Sequence, residues 1–295
     1  MLFQPLEDTS RNLFAKLCNP TQSPESSSAV KSDANAKATS TSVPPSPSNL
    51  AQAAHFLITL LKFYSLLSLA AWSLGPPIAP HLLTLIAGSR WTSTGAGEVL
   101  ATYCYYIPLL ALNGVTEAFV AATATTSELR TQSGLMALWF GAFAIVAWLL
   151  LGVWQMGAEG LVWANCVNMA LRVMWNLSFV RGFFAKYGAD LKLSTALPEV
   201  ASVAAAVGVG AILRARTGQA DEGLIGLLVR SGAVAVVFVA ILAISERRFV
   251  LELMGMAQGL AGSKGEAKNP MTKGDQDGVV SGKEKEPVLE RPKDR

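Results

Sequence analysis

The run GLVWANCVNMALRVMWNLSFVRGFF (160–184) is long enough to cross a bilayer as a helix, yet it carries a charge and three amides on one side. At 100° per residue, Asn165, Asn168, Arg172 and Asn176 fall within an arc of roughly 80° that extends about 16 Å along the axis. The opposite face is apolar, with Trp163, Val167, Ala170, Met174 and Leu177. A charge at the centre of a span costs about 2.5–3.5 kcal/mol on insertion scales, so Arg172 is expected to face protein, water or an anionic ligand. Two readings follow. The amides can be glue between helices, worth about 0.6–2 kcal/mol each, or the cation and amides can receive a phosphate or sugar head group.

The rest of the chain supports a membrane setting. Of 295 residues, 51% are hydrophobic and 15% charged, and the mean hydropathy is +0.37. The net charge of +3 comes mostly from residues outside the apolar runs, which excludes a nucleic-acid binder on charge grounds. Six apolar stretches approach the roughly 20 residues needed to span: Gln52–Leu74, Val99–Ala124, Ser133–Val153, Gly160–Phe184, Pro198–Leu213 and Leu224–Ser245. The expected fold is therefore an all-α polytopic bundle of about six transmembrane helices within residues 51–245. Gly75-Pro76-Pro77 should stop the first helix and leave Ile78–Ala87 along the interface.

Around this bundle, residues 1–18 read as the end of a helix. Residues 19–50 read as a disordered Ser/Pro-rich insertion, and 246–295 as a charged, solvated tail. With alternating spans, Lys37, Arg130, Arg181, Lys186, Lys192, Arg247 and Arg248 share one side, and Arg90, Arg214 and Arg216 the other. That asymmetry places both termini in the cytosol.

The second span holds Asn113-Gly-Val-Thr-Glu117, with Tyr106, Asn113 and Glu117 on one face. Glu117 either pairs with an inward base or gates a polar path, or it fixes helix register, and a pair with Arg172 is geometrically possible. Lys62 and Arg230 also fall within spans, without polar stripes around them, and can snorkel to the interface. Asn176-Leu-Ser178 matches a glycosylation sequon inside a span, where a transferase cannot reach. Gly208-Val-Gly210 suits helix packing better than nucleotide binding. His55 and His81 read as loop or interface residues. Cys18, Cys104 and Cys166 form no disulfide framework, and no cofactor or metal site is indicated. The chain shows no G-x-S-x-G, HExxH or P-loop and does not read as an enzyme.

The segments Tyr103–Glu117 and Trp163–Arg172, with Leu2-Phe-Gln-Pro-Leu-Glu7, resemble the corresponding parts of the eukaryotic Rft family. That resemblance implies the fold of the multidrug/oligosaccharidyl-lipid/polysaccharide exporters. It also implies movement of dolichol-pyrophosphate oligosaccharide (Man5GlcNAc2-PP-dolichol) from the cytosolic to the luminal leaflet of the endoplasmic reticulum for N-glycosylation. In the family the Phe-Gln-Pro segment ends a helix in the middle of the protein. The chain is thus expected to be a C-terminal portion, holding one wall of a two-lobed cavity. The implied head-group residues are Arg172, Asn165, Asn168, Asn176, Glu117 and Asn113, and the implied partners are the lipid-linked oligosaccharide and membrane lipids. The rival classes are a non-transporting scaffold of the glycosylation pathway and an ion-coupled drug exporter, which would want more acids inside the membrane than Glu117.

Overall fold

A computed structural model describes residues 4–18, 45–189, 191–216 and 224–255. Its main helices are α1 (Gln4–Cys18), α2 (Pro47–Ala87), α3 (Ala96–Thr123), α4 (Thr126–Trp148), α5 (Gly157–Lys186), α6 (Val200–Arg216) and α7 (Leu224–Ser245). No strand occurs among the described residues, and the fold is an all-α membrane bundle. Met1–Val250 forms one compact unit and Leu251–Arg295 a second. In the second, residues 251–255 are helical.

Five helical segments are long and apolar enough to cross a membrane: Pro47–Ala87, Ala96–Thr123, Thr126–Val153, Leu193–Ala215 and Gly226–Ser245. The helix α5 has 30 residues, sufficient length, but its own polar stripe lowers its hydropathy out of that set. It packs against α3 and α4 instead of standing apart. Outward faces are apolar, as lipid contact requires: Leu138, Phe140 and Trp148 on α4, and Val236, Val237 and Val239 on α7, are exposed.

The proline stop does not stop the helix. The helix α2 runs unbroken for 41 residues through Pro76, Pro77 and Pro80, about 62 Å at 1.5 Å per residue, so Ile78–Ala87 continues it. These prolines remove donors to the carbonyls of Trp72, Ser73 and Pro76, and neighbouring helices brace the weakened stretch. A Cβ on Gly75 would lie 2.7 Å from the Cβ of Cys104 on α3. One on Gly210 of α6 would lie 3.5 Å from the Ser73 carbonyl oxygen. Close packing from two sides thus overrides the local signal, as membrane helices permit. Gly210 has the packing role expected of it; a Cβ on Gly208 would meet open space.

Other boundaries also move. The first span begins at Pro47, where Ser46 caps the helix by accepting from the N–H of Asn49, so the expected insertion ends earlier than 50; residues 19–44 lie outside the described residues. Both histidines sit within α2, not in loops. Residues 247–250, placed in the tail on sequence, are helical, and the tail from 256 lies outside the described residues. The three thiols are free and buried.

An aromatic knot joins one end of the bundle. Phe14 of α1 meets Phe56 of α2 at 5.5 Å and Phe119 of α3 at 5.1 Å, and Phe119 stacks on Phe184 of α5 at 5.5 Å. Phe14, Phe119 and Phe184 are each 0% exposed. This rigid floor lies two residues from Glu117 and fixes α1, α3 and α5 around it.

Candidate functional site

The site forms where one face of α3 meets one face of α5. Asn113, Thr116 and Glu117 are spaced i, i+3, i+4 and therefore project together; Arg172 and Asn176 are four apart on the facing helix. The Arg172 Nη2 donates to Glu117 Oε2 at 2.7 Å. Asn113 Nδ2 donates to the same oxygen, also at 2.7 Å. Asn176 Nδ2 donates to Asn113 Oδ1 and to Thr116 Oγ1, both at 3.2 Å. Thr116 Oγ1 can accept because its own proton goes to the Leu112 carbonyl at 2.9 Å.

The network is dry at one end and accessible at the other. Asn113, Thr116 and Asn176 are 5%, 0% and 2% exposed, whereas the side chains of Arg172 and Glu117 are 25% and 30% exposed. Arg172 Nε is buried with no hydrogen-bond partner. An unsatisfied donor on a guanidinium is costly, and an arriving acceptor could relieve it. Beside Glu117, a recess of about 210 Å³ is lined by Glu7, Asp8 and Arg11 of α1 as well as Ala118 and Ala121. The Glu7 carboxylate reaches α3 over Gly114, where a Cβ would lie 3.3 Å from its Oε2.

The stripe read from the sequence is thus divided. Arg172 and Asn176 meet Asn113 and Glu117, but Asn165 turns back to donate to the Leu161 carbonyl of its own helix at 3.3 Å. Asn168 is half-buried and hydrogen-bonds no described residue. Two members were missed. Thr116 was legible as the neighbour of Glu117, since a hydroxyl beside an intramembrane acid is a natural partner. Glu7 could be found only by folding α1 onto α3. Asn176 is consumed in the network, which removes it from modification independently of membrane depth.

A second charged cluster binds the last two helices. Lys62 does not snorkel: its Nζ lies 2.7 Å from Glu246 Oε2, with the Glu246 side chain 1% exposed. Glu246 Oε1 accepts from the backbone N–H of Glu199 at 2.7 Å, at the start of α6, and from Ser202 Oγ at 3.4 Å. Burial alone would raise the Glu246 pKa; the Glu199 N–H, Lys62 and Ser202 outweigh it and hold the carboxyl below its ordinary range. Glu246 was missed because it stands one residue past an apolar run, where a carboxylate reads as the start of a solvated tail. Among the described residues, no group of three or more His, Cys, Asp or Glu could hold a metal ion.

The Rft protein family matches residues 1–256. The chain is 38% identical over 136 residues to the Man(5)GlcNAc(2)-PP-dolichol translocation protein RFT1 of Eremothecium gossypii, covering 46% of this chain and 25% of that protein. The similarly named protein of Candida glabrata is 27% identical over 254 residues, 86% of this chain and 42% of its own length. That of Mus musculus is 31% identical over 185 residues, 62% of this chain and 30% of its own length. The chain therefore spans about a quarter to two-fifths of the length of these curated relatives. No solved structure matches it. With a family match that runs from α1 through α7, the chain belongs to the Rft family.

Proposed function

We propose that this chain takes part in moving a dolichol-pyrophosphate-linked oligosaccharide across the membrane of the endoplasmic reticulum for N-glycosylation, with Arg172 and Glu117 at the centre of the head-group path. The observation that carries this reading is Arg172: a guanidinium held on one side by Glu117, with a buried Nε unsatisfied, on helices of an Rft chain. The relatives are named for translocating that lipid.

The chemistry fits. A pyrophosphate carries about two negative charges, and a glycan presents many hydroxyls, so both are costly in hydrocarbon. When a phosphate oxygen arrives, Arg172 exchanges part of its interaction with Glu117 for a charge-assisted bond. Glu117 keeps the donor from Asn113, and Asn113 keeps Asn176, so the amide network stays rigid while the ion pair opens. Asn168, nearer the start of α5, remains available for a hydroxyl, whereas the Asn165 amide is spent on its own helix. Binding and release suffice, and no covalent step is required. Both termini lie in the cytosol in this reading, and α5 crosses beside α3 and α4.

The decisive test introduces Arg172→Ala and Glu117→Ala at the matching positions of the full-length protein in cells that depend on it. Each should impair N-glycosylation at normal protein level; normal glycosylation overturns the assignment. The dry Asn113–Thr116–Asn176 triad also supports a second reading, a scaffold in which the polar face only assembles helices. Vesicle reconstitution separates the two: a scaffold moves no labelled lipid.

A further inference from the structure

The apolar face of α5, opposite Arg172, borders a feature that the head-group path does not use. Two recesses lie end to end along the seam of α2, α3 and α5. The smaller, about 310 Å³, is lined by Leu61 and Ser65 of α2, Leu112 of α3, and Leu177 and Arg181 of α5. The larger, about 650 Å³, continues along the same seam past Leu69, Trp72, Tyr105, Leu109 and Trp163. Leu61, Ser65, Leu69 and Trp72 are spaced i, i+4, i+8, i+11, a single stripe on α2. Tyr105, Leu109 and Leu112 make the facing stripe on α3. From Leu61 to Trp72 the furrow extends about 16 Å, near half the hydrocarbon core of about 30 Å.

Its two ends differ. The far end is walled by aromatic rings: Tyr105 stacks on Trp163 at 5.4 Å and meets Trp72 edge-on at 6.5 Å. There Arg214 of α6 donates to the Tyr105 hydroxyl at 2.7 Å. At the near end, Arg181 is exposed and forms no ion pair or hydrogen bond with a described residue. Lys186 follows on the same helix and Lys192 just beyond it, so this end is cationic.

We propose that this seam is a loading site for a polyprenyl phosphate lipid, with the phosphate on Arg181 and the first part of the hydrocarbon chain along the furrow to the Trp72–Tyr105–Trp163 wall. The inference rests on the reading of the chain as part of a lipid-linked oligosaccharide translocator and extends it to the lipid's tail. Charge selects an anionic head. The apolar, aromatic lining offers water few partners and favours hydrocarbon. One furrow leads away from Arg181, which suits a lipid with one chain; a glycerophospholipid brings two and would leave the second without a channel.

The test uses the full chain in phosphatidylcholine nanodiscs with dolichyl monophosphate bearing a diazirine near the phosphate end of its chain. Cross-links are mapped by mass spectrometry. Adducts should concentrate on Leu69, Trp72, Tyr105 and Leu109, and unlabelled dolichyl monophosphate should compete whereas phosphatidic acid should not. Arg181→Gln, on an exposed side chain with little folding risk, should lower adduct yield at sub-saturating probe about tenfold, the scale of losing a hydrogen bond to a charged group. Leu109→Trp should block the furrow as strongly, and Val237→Ala, on the outer face of α7, should leave the yield unchanged. Equal yield from Arg181→Gln, equal competition by phosphatidic acid, or adducts confined to the outer faces of α4 and α7 would overturn the proposal. No transport is needed for this readout. Absent adducts with a glycosylation defect in Arg172→Ala sink the furrow alone, and furrow adducts with normal glycosylation in Arg172→Ala sink the head-group path alone.

Discussion

Among the described residues, the Lys62–Glu246 and Arg172–Glu117 ion pairs differ in their surroundings. Around Glu246 the carboxylate is 1% exposed and receives Lys62, a backbone N–H and a hydroxyl. Lys62 also sits 5.3 Å above the Phe249 ring. Around Arg172 the partners are a quarter or more exposed, and one guanidinium nitrogen is unmatched. A pair with its bonding complete has little to gain from a ligand and serves as a latch among α2, α6 and α7. A pair left incomplete at the open edge of a rigid network can exchange partners. The difference separates structural from functional charge in a membrane protein better than the presence of charge alone.

The largest expected effect breaks the latch. Glu246→Ala leaves Lys62, whose side chain is 18% exposed, without its counter-charge and the start of α6 uncapped. It should destabilise the protein by about 3–5 kcal/mol, the scale of removing one partner of a buried pair. Reversible unfolding in mixed detergent would measure it. A loss under about 1 kcal/mol would mean that the pair behaves as a surface one. Arg172→Ala should cost less stability, about 1–2 kcal/mol, because Glu117 keeps the Asn113 donor and water reaches it. A stability loss as large as that of Glu246→Ala would erase the contrast.

Acid should sharpen the same comparison. The Glu246 carboxyl is held below its ordinary pKa of 4.5 in the folded protein, so the folded state binds the proton less readily than the unfolded one. Its stabilisation is complete above the ordinary value and is lost as pH falls through the lower folded value. Unfolding measurements should therefore show a stability decline in that acid window that Glu246→Gln lacks. Parallel decline in both proteins would assign the effect to other carboxylates.

The membrane class, the Arg172–Glu117 meeting and the helix of the last span were legible from sequence, because charge on an apolar helix must be matched and a long apolar run admits few structures. The described helix α7, Leu224–Ser245, lies on the last apolar run. What escaped was set by neighbours distant in the chain. The prolines of α2 are tolerated because Gly75 and Gly210 let α3 and α6 close around them, and no local rule carries that. Glu246 acquires its partners only when α6 and α7 fold back on Lys62. Asn165 illustrates the converse: helical spacing put it on the stripe, yet its amide donates to the Leu161 carbonyl of its own helix, and the next polar link from α5 to α3 is Glu159, which accepts from Thr102 Oγ1 at 3.0 Å.

Asn165 therefore supplies the smallest effect and the finest test of the site's extent. Its amide spends a donor on the Leu161 carbonyl of the same helix, a bond that water can replace at an accessible position. Asn165→Ala should change stability by no more than about 0.5 kcal/mol and should leave N-glycosylation near normal in the full-length protein, unlike Arg172→Ala. A glycosylation defect approaching that of Arg172→Ala, with stability unchanged, would show that the head-group path continues along α5 past the ion pair. The functional edge would then follow the helical stripe and not the Arg172–Glu117–Asn113–Asn176 network, and incomplete bonding would be a feature of the path as a whole and not of one pair.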